Sequence, residues 1–345
     1  MRALFLAILA WFSSFSHPSL PVSTPAPVSA PKYQIVEVAR ELFVPWSIVF
    51  TGGDRILLTE RNGKIREIKN GQLNPNPLIT FSDVSAIGEA GLMGMAGDSD
   101  HNLYICMTYL NNKLPVNRVQ RLKDSGDKIV EDKVLLDNIP AAQFHDGCRV
   151  KFGPDKKLYI TTGDSQNGKL AQDKNSLAGK ILRMNADGSN LEVYSYGHRN
   201  PQGIAWNSSG QMWETEHGPT APLDGSPGGD EVNIIEQGQN YGWPIISHRE
   251  TKPGLISPKI EFTPAVAPAG ADFLNNTFYF ATLKGEAIYK VDANFNFAKL
   301  PDINFGRIRD VVAGPDRALY FSTSNRDGRG TVRNGDDKVY KIIGL

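Results

Sequence analysis

His145 is one of only six histidines in this 345-residue chain, and it stands in Phe144-His145-Asp146-Gly147 just ahead of an apolar run. An imidazole titrates near neutrality, and a carboxylate beside it can orient the ring, so a histidine with a nearby aspartate is a general-base arrangement. The aspartate that fits is Asp164. Between the two lie the apolar segments Val150-Lys151-Phe152 and Leu158-Tyr159-Ile160, separated by the turn residues Gly153-Pro154-Asp155. Two short strands around such a turn form a hairpin. A hairpin pairs residues equidistant from its turn. With the turn centred near Asp155, His145 falls opposite Asp164 at the open end.

The same arithmetic gathers other polar residues. A turn near Ser208 and Ser209 sets Arg199 opposite Gly218, and Arg307 and Arg309 lead a hairpin whose far end is Thr323 to Asn325. Glu89 precedes a further hairpin in the same way. Taken singly, each has a structural explanation. His145 could be an ordinary loop histidine, Arg199 and Asn200 could cap a turn before Pro201, and Lys284 could be solvated. Arg307 and Arg309 could be one exposed strand face, and Gly218-Pro219 and Gly242-Trp243-Pro244 simple turns. Taken together, three arginines and a lysine on one rim suit a planar polyanion with several carboxylates. Glu89, Asp164, Glu231 and Tyr241, with carbonyls near Gly218 and Pro219, offer hard oxygen ligands of the kind calcium takes. No His/Cys spacing supports zinc, and neither G-x-G-x-x-G opening a helix nor a P-loop is present.

The element that must position these residues is the hairpin, and it recurs. Copies begin near Val49, Met95, Val150, Ala205, Asp272 and Val312, about 40 to 65 residues apart. Extra strands fall between them, such as Lys64–Ile68, Gly179–Met184 and Ala287–Val291. That spacing fits one four-stranded blade per copy. The predicted fold is all-β, a six-bladed β-propeller of four-stranded blades, with a two-sheet sandwich as the alternative. Lys338–Ile342 is placed to close the ring by pairing with the N-terminal segment.

Composition agrees with a globular protein with a large core: 40% hydrophobic, 21% charged and zero formal net charge. Without a Lys/Arg run, neither nucleic acid nor an anionic membrane is indicated as a partner. Arg2 followed by the apolar run Ala3 to Phe12 reads as an export signal, too short to span a bilayer, and Ser13 to Pro31 as a Ser/Pro-rich tether. The reading is therefore signal and tether over 1–31 and one propeller domain over 32–345, exported to the periplasm or outside the cell. An uncleaved anchor is the alternative. Cys106 and Cys148 are the only cysteines, and either a disulfide or two free buried thiols fits.

With these motifs in order, the chain resembles the soluble aldose sugar dehydrogenases that use pyrroloquinoline quinone (PQQ) and calcium, a family of six-bladed propellers. The likeness runs from Val44-Pro45-Trp46 to the C-terminus. It is carried by Gly88-Glu89-Ala90-Gly91-Leu92-Met93-Gly94, His145-Asp146-Gly147, Gly197-His198-Arg199-Asn200-Pro201-Gln202-Gly203, Glu216-His217-Gly218-Pro219, Asp230-Glu231-Val232-Asn233 and Asn240-Tyr241-Gly242-Trp243-Pro244. The resemblance implies that His145, supported by Asp164, takes the anomeric hydroxyl proton of an aldose while hydride passes to the quinone, with Arg199 as the third catalytic residue. It implies that Arg199, Asn200, Lys284, Arg307 and Arg309, with Glu89, bind the cofactor. Gly218 and Pro219 carbonyls would hold its calcium, and Glu231 and Tyr241 either that ion or a second, structural one. An electron acceptor, a quinone or redox protein, is the implied partner, for a monomer or homodimer. Departures are Cys148 where glycine is usual, Glu89 where glutamine is usual, a short Asp187–Glu192 loop, and a Gly/Pro-rich detour over Asp224–Gly229. A non-catalytic binding propeller and a metal-dependent lactonase are the competing readings. The first has no need of a base, and the second would hold its metal by carboxylates and Asn at the axis.

Overall fold

A computed structural model describes residues 33–220 and 224–345; the signal and tether reading lies outside the described residues. Strand β1 (Gln34–Ala39) is followed by blade 1, with β2 (Pro45–Phe50), β3 (Arg55–Glu60) and β4 (Lys64–Lys69), whose outer edge is shared by β5 (Gln72–Leu73) and β6 (Ile79–Thr80). Blade 2 is β7 (Leu92–Gly97), β8 (Asn102–Asn111), β9 (Leu114–Asp124) and β10 (Ile129–Pro140). Blade 3 is β11 (Gly147–Phe152), β12 (Leu158–Thr162), β13 (Lys180–Met184) and β14 (Glu192–Tyr196), with α1 (Lys169–Gln172) between β12 and β13. Blade 4 is β15 (Pro201–Trp206), β16 (Met212–Glu216), β17 (Asp230–Ile235) and β18 (Ile260–Phe262). Blade 5 is β19 (Pro268–Leu274), β20 (Thr277–Thr282), β21 (Ala287–Val291) and β22 (Phe297–Lys299). Blade 6 is β23 (Ile308–Ala313), β24 (Leu319–Thr323) and β25 (Val339–Ile343), completed by β1.

All the hairpins expected from the repeated turn are present, and each is the inner half of a blade. The ring closes as expected: β25 pairs antiparallel with β1, Gln34 opposite Ile343. This removes the free edge that an open sheet would expose. Inner strands β2, β7, β11, β15, β19 and β23 each touch the next, and β23 meets β2. Covered on both faces, β7 reads as a nearly continuous apolar run rather than an alternating one, Leu92-Met93-Gly94-Met95-Ala96. Close approach at the axis needs small residues. A Cβ at Gly203 would lie 2.9 Å from the Ala271 amide nitrogen in the next blade, which leaves only glycine there.

The core lies between blades. Trp46, Met93, Cys106, Val150, Leu158 and Leu182 form one such layer, all buried. Within it Cys106 of β8 and Cys148 of β11 are joined in a disulfide, Cα atoms 5.5 Å apart. Closing a loop of that length contributes about 3–4 kcal/mol in the chain-entropy account. Of the two states left open by the sequence, the structure has the paired one.

Nearer the axis the packing is polar. The Arg149 guanidinium lies over the Trp46 ring at 4.1 Å and pairs with Asp310 at 3.2 Å. Asp310 also accepts the Ile48 amide at 3.0 Å, so the buried charge has partners on two blades.

Candidate active site

Each inner strand slips register where it leaves the axis, and the slip in blade 3 builds the site's central feature. Gly147 pairs with Thr162 and Val150 with Ile160, so Cys148 and Arg149 face the single residue Thr161. This is a β-bulge. His145, Gly147 and Cys148 have φ of 65°, 62° and 68°. The turn of the backbone aims His145 into a cleft of about 560 Å³, which it lines with Glu89, Arg199, His217, Lys284 and Arg307.

His145 Nδ1 is 2.8 Å from Asp164 Oδ1. Asp164 is buried and fully used. Oδ1 also accepts the Gln166 amide at 2.9 Å, and Oδ2 accepts the Trp243 indole N–H at 2.7 Å. A carboxylate so held accepts a hydrogen bond from Nδ1–H, which fixes the tautomer and leaves Nε2 as the basic nitrogen of the ring. Hairpin arithmetic thus brings His145 and Asp164 together as expected. Trp243 reads in the sequence only as part of a turn, and its indole is what fixes Asp164.

Glu89 approaches from blade 2. Its carboxylate pairs with Arg329 at 2.7 Å and lies 3.4 Å from both the His145 amide and Asn200 Nδ2. Burial alone would raise it, but Arg329, by charge and hydrogen bond, holds it well below the usual carboxylate range. It is therefore a fixed negative charge beside the cleft. His217 shows the opposite response: burial pushes its imidazole down to about 3, with Arg309, Arg199 and His145 adding to the effect against Glu89. Among the described residues its buried Nε2 has no hydrogen-bond partner. A neutral imidazole with an unused ring nitrogen beside the cleft is ready for a bound group. Next to Glu89, burial likewise drives the Asp146 carboxyl up to about 8, with the charge of Glu89 adding to it.

The basic residues come from three blades. Arg199 donates to Asp224 at 2.7 Å and to the His217 carbonyl at 3.1 Å, and lies over Trp243 at 5.5 Å. Arg307 donates to Asp327 at 2.7 Å. Arg309 is buried; its Nη1 donates to Gln202 at 3.0 Å while its Nε has no partner. Burial lowers this guanidinium to about 9. Lys284 is exposed at the mouth. Asn200 is fully buried, its Oδ1 accepting from Gly147 N–H at 3.1 Å and Gln202 at 2.9 Å. It orients the bulge that carries His145. Arg329, Asp327 and Gln202 are not among the residues the sequence singles out. The cue is the charged loop Arg326-Asp327-Gly328-Arg329 directly after the last hairpin.

Gly218, Pro219, Glu231 and Tyr241, the expected metal residues, all border one cavity of about 10 Å³, roughly the room of one water. The Gly218 N–H donates to Asp230 at 2.8 Å. A Cβ at Gly218 would run into the Gly228 and Gly229 backbones, so only glycine lets these loops meet. Glu216 borders the same cavity and is not assigned from the sequence. Burial, then the charge of Glu216, drives Glu214 and Glu231 well above the carboxylate range, and Glu214 Oε1 is buried with no partner. Glu216 and Glu231, which border the cavity, are hard oxygen donors of the kind a divalent cation takes. The Tyr241 hydroxyl is unavailable to it, since it donates to the Ile234 carbonyl at 2.6 Å and accepts the Glu236 amide at 2.8 Å. Only its main-chain oxygen is left. His198, within reach of Glu214 and Glu216, has both nitrogens engaged, by Glu216 at 2.9 Å and Ser195 at 2.8 Å.

Residues 42–333 match the glucose/sorbosone dehydrogenase family. Among solved structures, the PQQ-bound form of an aldose sugar dehydrogenase from Streptomyces coelicolor superposes with a TM-score of 0.80 at 34% identity, covering 91% of this chain and 99% of that one. A putative oxidoreductase (glucose dehydrogenase) from Thermus thermophilus gives 0.84 at 38% identity, covering 90% of this chain and 100% of that one. The aldose sugar dehydrogenase YliI of Escherichia coli is 28% identical over 87% of this chain and 92% of its own length. With a matching family over most of its length and a propeller that carries the polar rim intact, the chain belongs to the glucose/sorbosone dehydrogenase family and is a sugar dehydrogenase-type oxidoreductase.

Proposed function

We propose that this protein oxidises the anomeric carbon of an aldose to the lactone with calcium-bound PQQ as the hydride acceptor. The observation that carries this reading is the pair His145–Asp164, 2.8 Å apart, at a cleft whose other walls carry Arg199, Lys284 and Arg307. When bound, the quinone supplies a two-electron acceptor and calcium a Lewis acid that activates it. The cleft volume of about 560 Å³ suits a planar tricyclic group together with a sugar ring. Among the described residues the buried His217 Nε2 has no hydrogen-bond partner, which leaves a polar group on the cleft wall for a bound molecule to satisfy.

In this reading His145 Nε2 accepts the anomeric hydroxyl proton, and Asp164 stabilises the imidazolium that results. Arg199, Arg307, Arg309, Lys284 and Asn200 bind carboxylates and ring oxygens, and the fixed charge of Glu89 helps orient them. Gly218 and Pro219, which also line the cleft, would offer carbonyls to the activating calcium on that side, while Glu231, Glu216 and the Tyr241 carbonyl would hold a structural ion in the small cavity. Phe144, Pro227 and Leu283 give the cleft an apolar wall that excludes water. The Arg2-led apolar run supports export, where a sugar and an external electron acceptor would meet the enzyme.

The test is reconstitution of the purified protein with PQQ and calcium, then addition of aldoses and an artificial electron acceptor. Turnover with retained quinone absorbance is expected. No turnover together with no retained absorbance would sink the reading.

A further inference from the structure

The blade 3 bulge differs from its counterparts in one respect. Among the described inner strands, only β11 carries a non-glycine residue at positive φ, and that residue is Cys148 at 68°. A side chain there is disfavoured because Cβ crowds its own backbone, and glycine is the residue that adopts it freely. Nothing in the surroundings requires a cysteine for packing alone: the neighbours are Met93, Val119, Ile139 and Val150, an apolar layer any small residue could join. The distinctive feature is the bond to Cys106 on β8 of the adjacent blade, with both cysteines fully buried.

The bulge transmits directly to the site. Cys148 lies three positions from His145, and between them Gly147 is tied to Asn200 at 3.1 Å and the Asp146 carbonyl to Asn117 at 3.3 Å. On the far side the Arg149 amide is tied to Thr161 at 2.9 Å. Hydrogen bonds therefore hold the residues on either side of Cys148, while Cys148 itself is held by sulfur. If Cys148 relaxed to negative φ, the chain leading to His145 would swing and the His145–Asp164 contact would be lost.

We infer that the Cys106–Cys148 disulfide is a positioning device, which clamps the left-handed bulge and so holds His145 in register with Asp164. The inference rests on the general-base reading of His145 above, and it makes both cysteines positioning rather than catalytic residues.

Two full-length variants test it. Cys106→Ala/Cys148→Ala opens the clamp and keeps a Cβ at the strained position; Cys106→Ala/Cys148→Gly opens it and removes the Cβ. The first readout needs no cofactor: the hydrogen-bonded Nδ1 proton of His145 in the NMR spectrum, assigned by its absence in His145→Gln. The second is kcat and KM after reconstitution with PQQ and calcium. In the alanine variant the proton signal should broaden or vanish, and kcat should fall by about 10–100-fold with KM little changed. The glycine variant should recover both, with kcat within about 2-fold of the parent. If the alanine variant does not fold, Cys106→Ala alone, which leaves a free thiol at the same φ, takes its place. A folded alanine variant with an unchanged His145 signal overturns the inference, and so does a glycine variant as impaired as the alanine one. If no protein turns over, the parent included, the reading of function fails, while the proton signal still decides the clamp.

Discussion

The hairpins of blades 3 and 6 share a turn and differ at the other end. In blade 3 Gly153 N–H donates to the Lys157 carbonyl at 2.9 Å, Asp155 accepts Tyr159 O–H at 3.0 Å, and Lys156 sits at φ 61°. In blade 6 Gly314 N–H donates to the Ala318 carbonyl at 2.8 Å, Asp316 accepts Tyr320 O–H at 3.1 Å, and Arg317 sits at φ 61°. Even the cation from the next-but-one strand is reproduced, Arg183 on Asp155 at 3.2 Å and Lys341 on Asp316 at 3.4 Å. At the open ends both inner strands slip register, but the residues they present differ. Blade 3 has a disulfide-bound bulge that presents His145, whereas blade 6 has an ordinary slip that presents Arg307 and buries Arg309. The turn end of a blade is scaffold, and the open end is where identical scaffolds acquire different chemistry.

The largest effect expected from breaking this contrast is at the open end of blade 3. His145→Gln removes the basic nitrogen while nearly preserving volume, and should lower kcat by about 10²–10⁴-fold. PQQ absorbance on reconstitution should persist, because the arginines are untouched. Loss of turnover and absorbance together would make His145 structural.

Next come the buried carboxyls of the two open ends, which should respond with opposite sign. Asp310 is paired with Arg149 at 3.2 Å, so Asp310→Asn strands a buried guanidinium and should cost about 3–5 kcal/mol. Among the described residues Asp146 has no cation within pairing distance; its Oδ1 accepts only the Ala142 amide at 3.1 Å, and its Oδ2 has no partner. Its pKa rises on folding from the ordinary 3.8 to about 8. Between those values the folded chain keeps a proton the unfolded chain has released, so this group's contribution is complete below about pH 4 and is lost as pH rises through 8. Asp146→Asn cannot lose a proton. Urea midpoints should fall less steeply from pH 5 to 8 in the variant, which should be the more stable by about 1–2 kcal/mol at the upper end. A parallel fall in both proteins would show that Asp146 is charged when folded.

How far the site was legible follows the same division. Fold and ring closure were readable because turn chemistry and apolar runs are local, so Gly-Pro-Asp and Lys338–Ile342 could be read without neighbours. The pair His145–Asp164 was readable because one hairpin fixes its register. What escaped depends on contacts between blades. Trp243 looks like a turn residue because its hydrogen bond to Asp164 spans two blades. The Glu89–Arg329 pair joins blade 2 to the loop after blade 6. Cys148 stands out as an odd residue, but its partner and its left-handed φ could be known only once β8 and β11 lay side by side.

A smaller effect is expected where a neighbouring blade merely supports the open end. Trp243→Phe keeps the aromatic wall and removes the 2.7 Å donor to Asp164. Loss of a hydrogen bond to a charged acceptor is worth about 1.5–3 kcal/mol, hence about 10–100-fold in kcat if all of it is expressed in the transition state. An unchanged kcat would mean that the Gln166 amide and His145 suffice to hold Asp164.

The smallest effect tests the shared end. Asp155→Ala and Asp316→Ala each remove a Tyr hydroxyl partner and the side chain that caps a Gly-Pro-Asp turn, with the same geometry in both blades. Each should cost about 1 kcal/mol in urea unfolding, and the two costs should agree within a few tenths. Neither should move kcat, because each turn lies a full strand length from the rim. A drop in kcat for Asp155→Ala alone would mean that the turn of blade 3 also sets the register of His145 against Asp164, and the division between scaffold end and chemical end would then fail in the blade where it matters most.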